Sequence, residues 1–173
     1  MNIFHLDKDP KICAEYHCDK HVVKMILETG QMLSTAYRKN FDDGEELYKT
    51  AYPHHPMTIW VGSSGTNFYW SIQLLDQLLY QYTMRYKKVH KTMRISNLFH
   101  AKYKLWHEWK TEFTPPPLCM PDEYKTLVRI DEDNATDEFD YIQSYRNYYV
   151  GEKKRFAKYT SVDTPYFMCY SVT

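Results

Sequence analysis

The sequence predicts an all-α fold, a single-domain bundle of four to six helices with short irregular connections over residues 1–173. Apolar residues recur at helical spacing through several long stretches. Only 5 of the 173 residues are glycine, while 43% are hydrophobic and 17% aromatic, a composition that favours a compact helical chain over a disordered one. Prolines stand at the ends of the periodic stretches, where helices start and stop.

Met1 to Asp7 reads as a short extended arm. Asp9 can cap a helix whose first turn holds Pro10, and the helical pattern continues to about Arg38. On one side of that helix fall Ile12, Tyr16, Val22, Val23, Ile26, Leu33 and Tyr37. His17, His21, Lys24, Glu28, Gln31 and Thr35 line the other within about 80° of arc. An acidic turn around Gly44 follows, and then Pro53 and Pro56 hold His54 and His55 in an extended or turn conformation ahead of Trp60. A second long helix is expected over Asn67–Tyr86, with Leu75, Leu78, Leu79, Tyr82 and Tyr86 inward. A basic junction precedes a third helix, Ser96–Glu112, with Leu98, Leu105 and Trp109 as its core; Pro115, Pro116 and Pro117 stop it. A short helix should open at Pro121, and a last one should run from Asp137 to Tyr159 with Phe139, Ile142, Tyr149 and Phe156 inward.

Twenty-two basic residues balance twenty-two acidic ones, so net charge selects no partner. The charges are segregated, however. Met84–Lys110 holds eight Lys or Arg and one acid, while Asp131–Asp140 holds six acids and no base, so a basic patch can exist on a neutral protein. Cys13, Cys18, Cys119 and Cys169 have neither CxxC nor zinc spacing and read as packing residues. No signal peptide and no apolar run approaching about 18 residues is present, which predicts a soluble intracellular protein with no membrane partner and no secretion.

Five groups of residues could carry chemistry. His17 and His21, four apart on a helix, have a spacing that can share a metal, with His5, His54, His55 or Glu28 as a third ligand; two hydrogen-bonded histidines are the plainer alternative. Glu15 and Asp19 project among apolar residues, so each is either salt-bridged or raised in pKa for proton transfer. The GSSGTN run before the second long helix is a helix cap or a phosphate cradle. Arg85, Lys87, Lys88, His90, Lys91 and Arg94 are interleaved with Tyr86, next to the tyrosines of the second long helix. Tyr145, Arg146, Tyr148, Tyr149, Lys153, Lys154 and Arg155 repeat that pairing of cations for phosphates with rings for bases.

The stretches CDKHVVKMILETGQMLSTA, HHPMTIWVGSSGTNFYW, QYTMRYKKVHK, MPDEYK and YRNYYVGEKKRFAKYT resemble a group of small, mostly uncharacterised all-helical proteins of tailed phages and large DNA viruses. More distantly, the AEYH turn and the HP-then-helix block resemble the viral pyrimidine-dimer DNA glycosylases. That resemblance implies an enzyme that flips a nucleotide and cleaves its glycosidic bond with an N-terminal amine and a first-helix glutamate. Here the amine would be that of Asn2 after removal of Met1, a poor substrate for removal, and the glutamate either Glu15 or Glu28. With Met1 retained, a water-activating enzyme or a Lys20 or Lys24 nucleophile stays open.

Three functions follow. The first is a DNA base-excision N-glycosylase acting on damaged or modified pyrimidines, requiring no cofactor. Its catalytic groups would come from His17, His21, Lys24, Glu28, Glu15 and Asp19. Its DNA would be held by His54, His55, Trp60, Arg85, Lys87, Lys88, His90, Lys91, Tyr145, Arg146, Tyr149 and Lys153. The second is a metal-dependent nucleotide or phosphoester hydrolase with a divalent ion on His17 and His21. The third is a non-enzymatic nucleic-acid-binding module.

Overall fold

The computed structural model describes residues 1–41, 43–102, 108–109, 112–131 and 136–169. The chain is mainly helical. Its α-helices are α1 (Pro10–Glu15), α2 (Asp19–Asn40), α3 (Pro56–Val61), α4 (Gly65–Tyr86), α5 (Met93–Ala101), α6 (Tyr141–Lys153) and α7 (Tyr166–Cys169). Between α5 and α6 lies an antiparallel hairpin of β1 (Leu127–Asp131) and β2 (Thr136–Phe139). No described helix is long and apolar enough to cross a membrane.

The two 22-residue helices, each about 33 Å long, pack along one another and carry the bundle. Met25, Ile26, Met32 and Leu33 of α2 meet a core that also takes in Ile72, Leu75, Leu78 and Leu79 of α4. Ser64 caps α4 by accepting the Asn67 N–H at 3.1 Å, so the GSSGTN run is a helix cap. Asn67 itself is fully buried and bonds Trp60 O, Ser63 Oγ and Thr114 Oγ1. The N-terminal arm buries Ile3, Phe4, His5 and Leu6.

Four expectations need correction. The first helix is interrupted at residues 16–18. Cys18 is extended, with φ −67° and ψ 161°, and its N–H donates to Tyr149 Oη at 2.9 Å. The carbonyls freed by the break are taken by Arg85, which donates to Glu15 O at 3.0 Å and His17 O at 2.8 Å. The third helix begins at Met93 and is described only to Ala101; its expected continuation, including Leu105, falls largely outside the described residues. The segment after Pro121 is a single 3-10 turn, Asp122–Tyr124, that leads into the hairpin. The last long helix starts at Tyr141, capped by Asp140, so Phe139 belongs to β2 and is half exposed instead of inward.

Candidate active site

The arm lays Asn2 against the middle of α2. Its backbone N–H donates to Glu28 Oε2 at 3.0 Å. Its side chain is fixed from both ends: Nδ2 donates to Cys119 O at 3.0 Å, and Oδ1 accepts from Tyr145 Oη at 3.2 Å. The Met1 amine lies 4.0 Å from the same Glu28 oxygen, and Lys24 Nζ lies 3.4 Å from Oε1. The Glu28 side chain retains 15% exposure, so its carboxylate borders solvent while surrounded by nitrogen groups. His55 stands near enough to feel this charge. Burial and the N-terminal amine push its pKa down, and Glu28 opposes them. A half-buried carboxylate facing an amine can accept a proton from that amine or from a water molecule.

His17 lies in the break before α2, and His21 stands about two turns before Glu28 on α2 itself. Their rings enter the interior, at 0% and 6% exposure, within an aromatic cluster. His21 stacks on Phe4 at 4.7 Å and meets Tyr149 and Phe156 edge-on. His5, equally buried, stacks on Trp70 at 4.4 Å. Burial pushes His5 and His21 down to about 3 and His17 down to about 4, so all three are neutral at pH 7. The Cys13 carbonyl can only accept, so its 2.7 Å contact with His17 Nδ1 places the proton on Nδ1 and leaves Nε2 as a buried lone pair. Among the described residues, no group of three or more His, Cys, Asp or Glu is arranged to hold a metal ion.

Asp19 serves as an anchor. It accepts from Arg85 at 3.1 Å, from Thr160 N–H, and from Thr160 Oγ1 at 2.7 Å. Arg85 is in turn an interior residue, held also by Gln81. Glu15 lines a cleft with Tyr16, Tyr80 and Tyr166, a set that does not include Glu28.

The residues expected to hold DNA divide. Tyr145 and Tyr149 are fully buried, and Trp60, 5% exposed, donates its indole N–H to Thr114 O at 2.8 Å. Arg146 is engaged by Leu6 O, Asp7 and Tyr166 Oη. His55 Nδ1 caps α3, and His90 Nδ1 accepts the Thr92 N–H. Exposed are His54, Lys87, Lys88 and Lys91. Lys153 lies over the Phe4 and Tyr148 rings, and Lys20 over Phe156, so the C-terminal end of α6 brings cations to the start of α2. Sequence reasoning did not single out the side chains of Asn2 and Cys119, because nothing local shows that residues 117 apart share a hydrogen bond.

Comparison with protein-family models, with curated proteins and with solved structures gave no match.

Proposed function

We propose that this protein is a DNA base-excision N-glycosylase acting on damaged or modified pyrimidines, with Glu28 as its acid–base group. The observation that carries this reading is the 3.0 Å hydrogen bond from Asn2 N to Glu28 Oε2, with the Met1 amine at 4.0 Å. It favours Glu28 over Glu15 as the glutamate implied by the resemblance to the pyrimidine-dimer glycosylases.

If Met1 is removed, Asn2 N becomes an amine already in contact with a proton acceptor. Glu28 takes its proton, and the neutral amine attacks C1′ of the flipped nucleotide. The C1′–N bond breaks, and its electron pair leaves with the base. Loss of the second amine proton and opening of the sugar ring then leave an imine to the enzyme, which permits strand cleavage. If Met1 stays, Glu28 activates water for the same displacement and the product is an abasic site. Lys20, Lys24 and Lys153 would meet the backbone phosphates.

The test is incubation with duplexes containing cyclobutane dimers, uracil or oxidised pyrimidines, with borohydride added to trap an imine and mass analysis of the N-terminus. Base release is expected on at least one lesion, and Glu28→Gln should reduce its rate by about 10²–10⁴-fold. Neither abasic sites nor strand breaks on any duplex would overturn the reading.

A further inference from the structure

Tyr52 is an aromatic side chain that the fold holds in a left-handed backbone conformation and leaves in water; of the other residues at positive φ, Lys87 is accounted for as the C-cap of α4. The φ of Tyr52 is +49°, in the left-handed region, where Cβ meets the following carbonyl. Glycine adopts that region without steric penalty. The fold does not enclose the Tyr52 ring, and 68% of the residue's surface is exposed. The turn is nevertheless tightly held. Thr35 Oγ1 donates to Ala51 O at 3.2 Å and accepts from Ala51 N at 2.9 Å, and His55 N–H returns to Tyr52 O at 3.1 Å. A strained, well-anchored residue presenting an exposed ring is a functional candidate.

Its position supplies the function. Ala51 is bonded to Thr35, two turns beyond Glu28 on the same face of α2, about 10 Å along the axis. His55, three residues after Tyr52, caps α3, whose Thr58 hydroxyl meets Met1 Sδ at 3.8 Å, and the Met1 amine lies 4.0 Å from Glu28. Tyr52 therefore lies on the stretch of chain between the Ala51–Thr35 contact and the start of α3, which leads toward Met1 and Glu28. Lys49 and His54, both exposed, flank it and can meet phosphates.

We infer that Tyr52 is a positioning residue that inserts its ring into the base stack beside the target nucleotide and holds the duplex open while that nucleotide occupies the Glu28 site. A flat, exposed ring on a rigid turn can replace the lost stacking partner of the neighbouring base in any sequence. The inference rests on the glycosylase reading for its reaction, and its test separates the two.

The probe is a duplex with a tetrahydrofuran abasic analogue flanked by thymines, which needs no base release. Permanganate attacks thymines that have lost stacking. Bound wild-type protein is expected to make a flanking thymine hyperreactive; Tyr52→Phe keeps this and Tyr52→Gly loses it. Tyr52→Gly should melt no earlier than wild type, because glycine relieves the positive φ. It should also slow single-turnover base release about tenfold or more, the size of one lost base–ring stack. Absence of hyperreactivity with wild type, its persistence in Tyr52→Gly, or its loss in Tyr52→Phe overturns the inference. Hyperreactivity that depends on the ring, without base release on any lesion, retains Tyr52 as a wedge and removes the glycosylase.

Discussion

A buried histidine with an open ring nitrogen costs a fold its desolvation when neutral and far more when it must carry charge, and this protein has three among its described residues. His5, His17 and His21 retain buried nitrogens with no partner among the described residues. Burial holds their folded pKa values at about 3 to 4, against an ordinary 6.5. Lys24, Lys153 and Arg85 oppose protonation further. Between those limits the unfolded chain binds protons that the folded chain refuses, so stability rises with pH and is lost as pH falls from about 6.5. With three such groups the loss approaches about 4 kcal/mol per pH unit near pH 5. Urea unfolding followed from pH 7.5 to 4.5 should show uptake of about three protons. His5→Phe, which keeps a ring against Trp70, should remove one of them and raise the midpoint at pH 5; an unchanged proton count would refute this account. The His17–His21 pair was legible in the sequence as a helical spacing. Its burial was not, because hydropathy counts imidazole as polar and cannot see the Phe4 and Tyr149 rings that enclose it.

At the scale of elements, α1 and α2 are separate because of contacts made far along the chain. No proline or glycine marks residues 16–18, and local propensity alone would continue the helix. Arg85, on α4, donates to the Glu15 and His17 carbonyls and to Asp19, so one guanidinium bonds the end of one helix and the beginning of the next. Arg85→Met leaves the Asp19 carboxylate without its counter-charge, held by Thr160 alone, and takes the donor from two carbonyls, and should cost about 3–5 kcal/mol. Arg85→Lys should recover little, since a point charge cannot span the same fork of acceptors. A urea midpoint within error of wild type for Arg85→Met would show that the break does not depend on this residue. The long helices were readable because their periodic stretches and start signals are local: Pro10 opens α1, and Ser64 caps α4. The helix break and the hairpin were not, for the pairing of Leu127 with Phe139 is set by the fold around it, and the intervening acidic run reads as a loop. The same holds within the candidate site. Glu28 and Lys24 were visible as neighbours on α2, whereas the approach of Asn2 from 26 residues away required the folded arm.

For the whole molecule, a net charge of zero hides an uneven surface, and the proposed function depends on that unevenness. The arm, the start of α2 and the end of α6 converge. Asp19 N–H bonds Lys158 O, Lys20 lies on Phe156, and Lys153 lies on Phe4 and Tyr148, which gathers cations beside the exposed α2 residues Val23, Lys24 and Leu27. The acids Asp43, Glu45 and Glu46 belong to the turn after α2, at the far end of that helix. On the proposed reading, a duplex approaching the start of α2 would meet these cations, which net charge conceals. Each phosphate neutralised releases bound counterions, so affinity must fall as salt rises, with a log–log slope of about −0.9 per contact. Lys153→Ala and Lys20→Ala should each weaken binding to undamaged duplex and make the slope shallower by about one unit, without altering which lesion is processed. Fluorescence anisotropy across a salt series measures both quantities. Binding that ignores salt would mean that the cations of α2 and α6 serve only to cover the aromatic core and take no part in holding DNA.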